Sequence, residues 1–272
     1  KKDYVIGITT LIANEIHHIA QELVDHEITN SIPFEYVVIP KLENQIIDRM
    51  WEDSRDFISP IHIQTKAWEN IFEQSCEVFE PKTGIRDYMD LVQGLNHINA
   101  RNLSGDIAEV GVYKGGSAYL ISSQLPNKKF HLFDTFEGLP NDGDDQLANE
   151  PNEGWLDDTS IEEVKSFVLK SGIPEKNLFI YQGYFPKDTI NQVPKDTIYC
   201  LVHLDTDRYK STLEGLEYFY NRLVSGGRVV IHDYNCIGTP GVKLAVDEFV
   251  KKFSLSHLLI SICESQAVLI KI

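Results

Sequence analysis

The sequence predicts an α/β protein: a doubly wound, mostly parallel seven-stranded sheet with a final antiparallel hairpin, preceded by an N-terminal extension. Three observations carry this expectation. From about residue 105 onward, strand-like and helix-like segments alternate, which implies right-handed βαβ units. Two strand-like runs, Leu201-Val202-His203-Leu204 and Val229-Val230-Ile231, are apolar enough to be covered on both faces of a parallel sheet. Both break at once into chemistry-bearing residues, Asp205-Thr206-Asp207 after the first and His232-Asp233-Tyr234 after the second. Ligands of such sheets bind outside the carboxyl ends of the strands. Unpaired carboxylates gathered there repel one another by roughly a few kcal/mol per pair at an effective dielectric of about 20. A positive species is therefore expected among them, and a divalent cation is the simplest.

In chain order, Ile107–Gly111 reads as the first strand and Gly115–Leu125 as the first helix of the alternation. Lys129–Asp134 is the next strand, followed by a polar segment from Gly138 to Asp158 that carries seven acids with several Gly and Pro. Thr159 or Ser160 can cap a helix running through Lys170, with Glu163 at the capping-box position relative to Ser160 and Gly172 as the stop. Leu178–Gln182 and Thr197–Leu204 follow as strands. Ser211–Leu223 is an amphipathic helix ended by Ser225-Gly226-Gly227, and Arg228–His232 is a fifth strand. Val242–Lys252 is helical, and Ser256–Ile262 with Ala267–Ile272 close the chain as two consecutive strands, hence a hairpin. Residues 1–85 break this rhythm. Tyr4–Ile12 and Phe34–Ile39 look strand-like, while Asn14–His26, Leu42–Asp56, Lys66–Phe79 and Asp87–Ala100 look helical, punctuated by Pro33, Pro40, Pro60 and Pro81. The division expected is an α/β extension over 1–85, acting as a cap, a substrate contact or a dimer contact, and a main domain over 86–272.

Composition narrows the function classes. The formal net charge of −16 argues against a phosphate-backbone partner such as DNA or RNA. No stretch approaches the roughly 20 apolar residues of a membrane span. Four widely spaced cysteines (Cys76, Cys200, Cys236, Cys263) form no zinc or disulfide pattern, and fit a reducing cytoplasm. The chain begins Lys1-Lys2-Asp3 without Met, as a trimmed chain or a piece of a longer polypeptide would.

The first strand feeds Glu109-Val110-Gly111-Val112-Tyr113-Lys114-Gly115-Gly116-Ser117, a glycine-rich strand-to-helix turn whose N–H groups can receive an anionic group. A dinucleotide fingerprint would need Gly where Tyr113 stands, and no Gly-Lys-Ser/Thr follows for a P-loop. An acid just before the turn suits a cofactor with both an ammonium group and a carboxylate, such as the methionine end of S-adenosylmethionine. Asp134, about 20 residues past the turn, is placed to hydrogen-bond ribose hydroxyls. The alternatives are structural: a strand-end acid for Glu109, and a turn or cap acid for Asp134.

These residues carry a family resemblance. Ile107-Ala108-Glu109-Val110-Gly111-Val112-Tyr113-Lys114-Gly115-Gly116 and Phe133-Asp134-Thr135-Phe136-Glu137-Gly138-Leu139-Pro140 resemble the macrocin O-methyltransferases. These are class I, Rossmann-like S-adenosylmethionine enzymes that methylate sugar hydroxyls of macrolide and aminocoumarin natural products. The resemblance continues through Gln182-Gly183-Tyr184-Phe185-Pro186, Leu204 to Thr212, Gly226-Gly227, His232-Asp233-Tyr234 and Gly241 to Phe249, so that it covers roughly residues 86 to 272. It implies a cofactor set of Glu109, Gly111, Tyr113, Gly115, Gly116 and Ser117 from the turn, then Asp134, Thr135 and Phe136, then Ser160, Gly183, Tyr184, Phe185 and Asp205. It also implies that Asp205 is a magnesium ligand and Asp207 the general base that takes the acceptor's hydroxyl proton. The later motif, usually Asp-Asp, supplies further ligands; here it reads His232-Asp233. Asp233 carries over directly, whereas His232 either ligates through a ring nitrogen or flanks the site. Imidazole suits Mn, Fe or Zn better than Mg²⁺, so the departure opens Mn²⁺ or another divalent ion as alternatives. The expected partner is a small hydroxylated acceptor, with homodimerisation favoured by the resemblance.

Competing assignments sit beside these. Asp207 can instead cap the helix that follows it. His203 and His131 fit buried, hydrogen-bonded histidines better than catalysts, although a metal-independent enzyme could use His203 or His232 as base. Trp51 and Trp68 fit packing, as does Trp155, which lies in the acidic segment and is also the tryptophan placed for a substrate contact. A catalytically silent binding domain is the remaining class, and the Gly-rich turn together with Asp205, Asp207 and Asp233 argues against it.

Overall fold

The computed structural model describes residues 85–140, 147, 150–261 and 265–272, so the segments expected between residues 4 and 79 lie outside the described residues, as do Cys76 and Cys263. Helix α1 (Ile85–Arg101) buries Leu91, Val92, Leu95 and Ile98, a stripe with helical spacing. The alternation then runs β1 (Asp106–Val110), α2 (Gly116–Gln124), β2 (Phe130–Asp134), α3 (Ile161–Leu169), β3 (Leu178–Gln182), β4 (Tyr199–Leu204), α4 (Tyr209–Phe219), β5 (Leu223–Ile231), α5 (Pro240–Lys252), β6 (Leu259–Ile260) and β7 (Ala267–Ile270).

Among the described residues these strands form a seven-stranded sheet in the order β3-β2-β1-β4-β5-β7-β6. The first five strands are parallel, and β7 runs antiparallel to both β5 and β6. The expected sheet with its final hairpin is therefore present. Strand direction of growth reverses between β1 and β4, which places the crevice for ligands at their carboxyl ends. Alternate residues feed two cores. Ile107, Leu132 and Leu201 pack toward α1, α2 and α3, whereas Ala108, Phe133 and Val202 pack toward α4 and α5. Helices on both faces explain why all six residues of β4 are buried.

Two boundaries differ from expectation. Ser225-Gly226-Gly227 does not end a helix; it lies inside β5, where the register to β4 shifts between Tyr199↔Leu223 and Leu201↔Arg228. Gly226 takes φ +81°, so the strand can bulge and still bond Lys271 on either side of the kink, by Gly226 N–H and by the Gly227 carbonyl. The hairpin strand β6 is only two residues long, because Ser256–Leu258 forms a 3₁₀ turn instead. No described helix is long and apolar enough to cross a membrane. Cys200 is a buried free thiol.

Candidate active site

The turn after β1 is built around one close approach. A Cβ on Gly111, at φ +83°, would stand 1.8 Å from the Asp205 carbonyl oxygen, so only glycine lets the ends of β1 and β4 meet. That contact is sealed by Asp205 N–H donating to the Val110 carbonyl at 2.9 Å. Tyr113 holds a left-handed conformation, φ +48°, and the Asp134 carboxylate secures it. Oδ2 of Asp134 accepts the N–H groups of Val112 at 2.6 Å and Tyr113 at 2.9 Å, and Oδ1 accepts that of Phe136 at 2.7 Å. One carboxylate thus pins the turns after β1 and β2 together. Gly115, at φ +85°, caps α2, and Gly116 and Ser117 open that helix.

Glu109 lies behind the turn rather than in it. It is fully buried, accepts from Ser117 Oγ at 2.5 Å, and meets His203 Nδ1 at 2.8 Å. Burial raises its pKa, partly opposed by the hydrogen bonds and charge of His203 and by Ser117. Its second oxygen, Oε2, has no partner among the described residues. His131 is likewise buried, between Asp106 and the Tyr181 hydroxyl, each at 3.0 Å. The structural assignments of His131 and His203 therefore hold geometrically.

A cavity of about 510 Å³ opens along these strand ends, within the usual range for small-molecule sites. Of the expected residues, Gly111, Tyr113, Ser117, Asp134 and Thr135 line its β1–β2 side, and Gly183, Tyr184 and Phe185 line it beyond β3. Asp205, Asp207, His232 and Asp233 line the side formed by β4 and β5. Glu109, Gly115, Gly116, Phe136 and Ser160 do not line it. Ser160 is engaged elsewhere: its Oγ accepts Glu163 N–H at 3.3 Å and donates to the Glu163 carboxylate at 2.8 Å, capping α3. Trp155, 46% exposed, does reach the cavity wall.

The four polar residues after β4 and β5 crowd one another. His232 Nδ1 stands 3.0 Å from Asp205 Oδ1 and 3.2 Å from Asp233 Oδ1. Burial works to raise the Asp205 pKa, but the charge and hydrogen bond of His232 outweigh it and hold the carboxyl below its usual range. Asp207 is pushed well above the usual range, first by burial, then by the charges of Asp205 and Asp233 and a hydrogen bond to Asp233. Asp207 and Asp233 both adopt left-handed backbone, φ +58° and +62°, a region that non-glycine residues seldom enter. Asp207 does not cap α4, since the Tyr209 N–H is taken by Glu150 at 2.6 Å. Thr239 Oγ1 donates to Asp233 Oδ2 at 3.1 Å, and Cys236 lines the cavity nearby. Sequence reasoning missed both, along with the cavity-lining Thr206 and Ser211. For Thr239 the signal was the Thr239-Pro240-Gly241 helix start; a cysteine in a loop or a serine in the first turn of a helix gives none.

The magnesium expectation meets this geometry directly. Mg²⁺ seeks a near-octahedral set of oxygens, whereas here an imidazole nitrogen occupies the space between the two carboxylates. Among the described residues no group of three or more His, Cys, Asp or Glu side chains is arranged to hold a metal ion. As arranged, with His232 Nδ1 at ion-pair distance from both Asp205 and Asp233, the three do not present the set of oxygens that Mg²⁺ takes. The turn fits an S-adenosylmethionine site better: it has a preformed helix N-terminus, an acid at the end of β2, and a cavity of suitable size.

A family profile described as macrocin-O-methyltransferase (TylF) matches residues 77–270. Demethyldecarbamoylnovobiocin O-methyltransferase of Streptomyces niveus is 29% identical over 189 residues, 66% of this chain and 71% of that protein. Mycinamicin III 3''-O-methyltransferase of Micromonospora griseorubida is 28% identical over 170 residues, 58% of this chain and 65% of that protein, so the match spans slightly less than two thirds of it. Among solved structures, the O-methyltransferase NovP superposes with a TM-score of 0.61 at 28% identity, covering 69% of this chain and 80% of its own. The calicheamicin methyltransferase CalS11 covers 99% of both chains with a TM-score of 0.57 at 16% identity, a likeness of fold.

Proposed function

The chain belongs to the macrocin-O-methyltransferase family, and from that premise we propose that it moves the methyl group of S-adenosylmethionine to a hydroxyl of a small glycosylated or polyhydroxylated metabolite, with Asp207 as general base. The observation that carries the proposal is the placement of Asp207, crowded with Asp205 and Asp233, on the wall of the same cavity that the glycine-rich turn lines; burial and those two charges push its pKa up. A sugar hydroxyl is a weak nucleophile at neutral pH. A base works best when its pKa lies near the working pH, and burial beside two other carboxylates moves Asp207 in that direction. S-adenosylmethionine, when bound, would supply an electrophilic methyl group and, in S-adenosylhomocysteine, the leaving group that the attacking acceptor oxygen displaces.

The chain's own residues account for the rest. The turn Gly111 to Tyr113 and Ser117 at the start of α2, which line the cavity, would hold the methionine end, while Asp134 and the turn it holds would serve the ribose. Asp207 takes the hydroxyl proton. Its own neighbours Asp205 and Asp233 raise its affinity for that proton, and His232 keeps Asp205 ionised beside it. Fixing both reactants in one cavity is itself worth roughly 7–11 kcal/mol of barrier when alignment is good. Residues 1–85 and the 138–158 segment select the acceptor in this proposal.

The metal-dependent form of the reaction needs His232 to surrender its place between Asp205 and Asp233. The observed arrangement supports the metal-independent form, in which the imidazole is the partner of both carboxylates. The test is release of S-adenosylhomocysteine on incubation with S-adenosylmethionine and a panel of desmethyl glycosylated acceptors of the aminocoumarin, tetracenomycin and macrolide types, with and without EDTA. Methylation of at least one sugar hydroxyl, unchanged by EDTA, is expected. Loss with EDTA, restored by Mg²⁺ or Mn²⁺, would return the site to the metal-dependent form. No turnover on the panel and no binding of S-adenosylhomocysteine would sink the proposal itself.

A further inference from the structure

Two buried side chains that the chemistry does not use tie the segment after β2 to the turn that carries Asp207. Arg208, at the N-cap position of α4, is completely buried. Its guanidinium donates from Nη1 to the Pro140 carbonyl at 2.5 Å and from Nη2 to the Pro151 carbonyl at 2.6 Å. Glu150, 8% exposed, works in the opposite direction. Its Oε1 accepts the backbone N–H of Tyr209 at 2.6 Å and its Oε2 that of Leu147 at 2.9 Å. A side chain of the α4 turn therefore grips the backbone of the segment, and a side chain of the segment grips the backbone of the α4 turn.

The fold makes room for this exchange. A Cβ on Gly241, in the first turn of α5, would stand 2.0 Å from Glu150 Oε1 and 2.7 Å from Tyr209 N. Pro140 and Pro151 both line the cavity, and Arg208 directly follows Asp207, whose left-handed backbone needs an external hold. A planar guanidinium presents two parallel donors at a fixed spacing, which a lysine ammonium cannot do. Arginine is thus the side chain that can bond both carbonyls at once.

We propose that Arg208 and Glu150 are positioning residues whose reciprocal hydrogen bonds lock the cavity wall at Pro140 and Pro151 to the turn bearing Asp207. The proposal rests on reading this cavity as the S-adenosylmethionine site with Asp207 at its acceptor end. Once either grip is lost, wall and base no longer share one geometry, and a bound cofactor is held less long.

The test uses the intact protein with S-adenosylhomocysteine as the probe, read by its dissociation rate and by amide hydrogen exchange in the peptide containing Tyr209. Arg208→Ala and Glu150→Ala are each expected to speed release about tenfold or more, the scale of a lost hydrogen bond to a charged group, and to raise exchange at Tyr209. Arg208→Lys should fall between wild type and Arg208→Ala. Millimolar guanidinium chloride should slow release from Arg208→Ala while leaving the wild type unchanged, a rescue that a general loss of stability does not produce. Unchanged release and exchange in both alanine variants would overturn the proposal. So would faster release that neither lysine nor guanidinium repairs. Should the alanine variants not fold, Arg208→Lys and Glu150→Gln decide by the same two readouts, and no change in either counts against the strap. If the wild type does not bind S-adenosylhomocysteine, the cofactor reading fails, and exchange at Tyr209 still judges the strap by itself.

Discussion

The side of the cavity that the proposal gives to the cofactor, after β1, β2 and β3, fastens its acids to backbone and to side chains that hydrogen-bond them, whereas the side that it gives to the acceptor, after β4 and β5, crowds its charges on one another. On the first side, Asp134 takes three main-chain N–H groups and Glu109 is held by Ser117 and His203. On the second, Asp205 and Asp233 share one imidazole with Asp207 beside them, and two of the three carboxylates sit on left-handed backbone. In the proposed reaction the second side would carry the reactivity. Satisfied dipoles fix the position of a ligand, while mutually raised proton affinity makes a base.

The largest effect should come from breaking the acceptor side alone. Asp207→Asn keeps shape and removes the proton acceptor, so kcat is expected to fall by about 10²–10⁴-fold, the usual worth of a positioned base. S-adenosylhomocysteine affinity, set by the other side, should stay within twofold by calorimetry. Retained turnover in Asp207→Asn would end its assignment as base.

A backbone lesion between the two sides should rank next. Gly111→Ala drives a methyl group into the Asp205 carbonyl and forces a side chain onto φ +83°. Overpacking and backbone strain together are expected to cost about 3 kcal/mol or more in denaturant-unfolding stability. If the variant is as stable as wild type, the close approach of β1 and β4 is not the constraint described.

The pH profile sharpens the comparison further. Asp207 must be ionised to accept a proton, and its pKa is raised, so kcat/KM should increase with pH along a limb lying above the range of an ordinary aspartate. The charge of His232 lowers the Asp207 pKa. His232→Leu should therefore displace that limb to still higher pH, and a limb that does not move would show that His232 does not act on the base.

How much of this was legible in the sequence follows the same divide. Gly111, Tyr113 and Asp134 could be found because strand-to-helix turns and the spacing to the second strand have a main-chain mechanism. The two apolar runs ending in acids located the strand ends where Asp205, Asp207, His232 and Asp233 line one cavity. What the sequence could not show was who neutralises whom. His232 and Asp233 are adjacent in sequence, yet only their coordinates show the imidazole lying between Asp205 and Asp233. Gly226-Gly227 misled because a glycine pair serves a helix stop and a strand bulge equally well, and only the ladder to β4 and β7 chooses. Arg208 and Glu150 gave no local signal either, since their partners are backbone groups roughly 60 residues away in sequence.

The smallest effect should come from Ser160, the residue that the sequence could place in either a cap or the cofactor set. Its side chain caps α3 and is absent from the cavity wall. Ser160→Ala should lower unfolding stability by about 1 kcal/mol, the ordinary worth of an N-cap, and leave S-adenosylhomocysteine affinity unchanged. The two measurements separate the roles because a cap acts on the helix whether or not ligand is present, whereas a ligand contact acts only on the complex. A tenfold loss of affinity with unchanged stability would move Ser160 into the cofactor side, and would mean that the start of α3 shifts toward the cavity when the ligand binds.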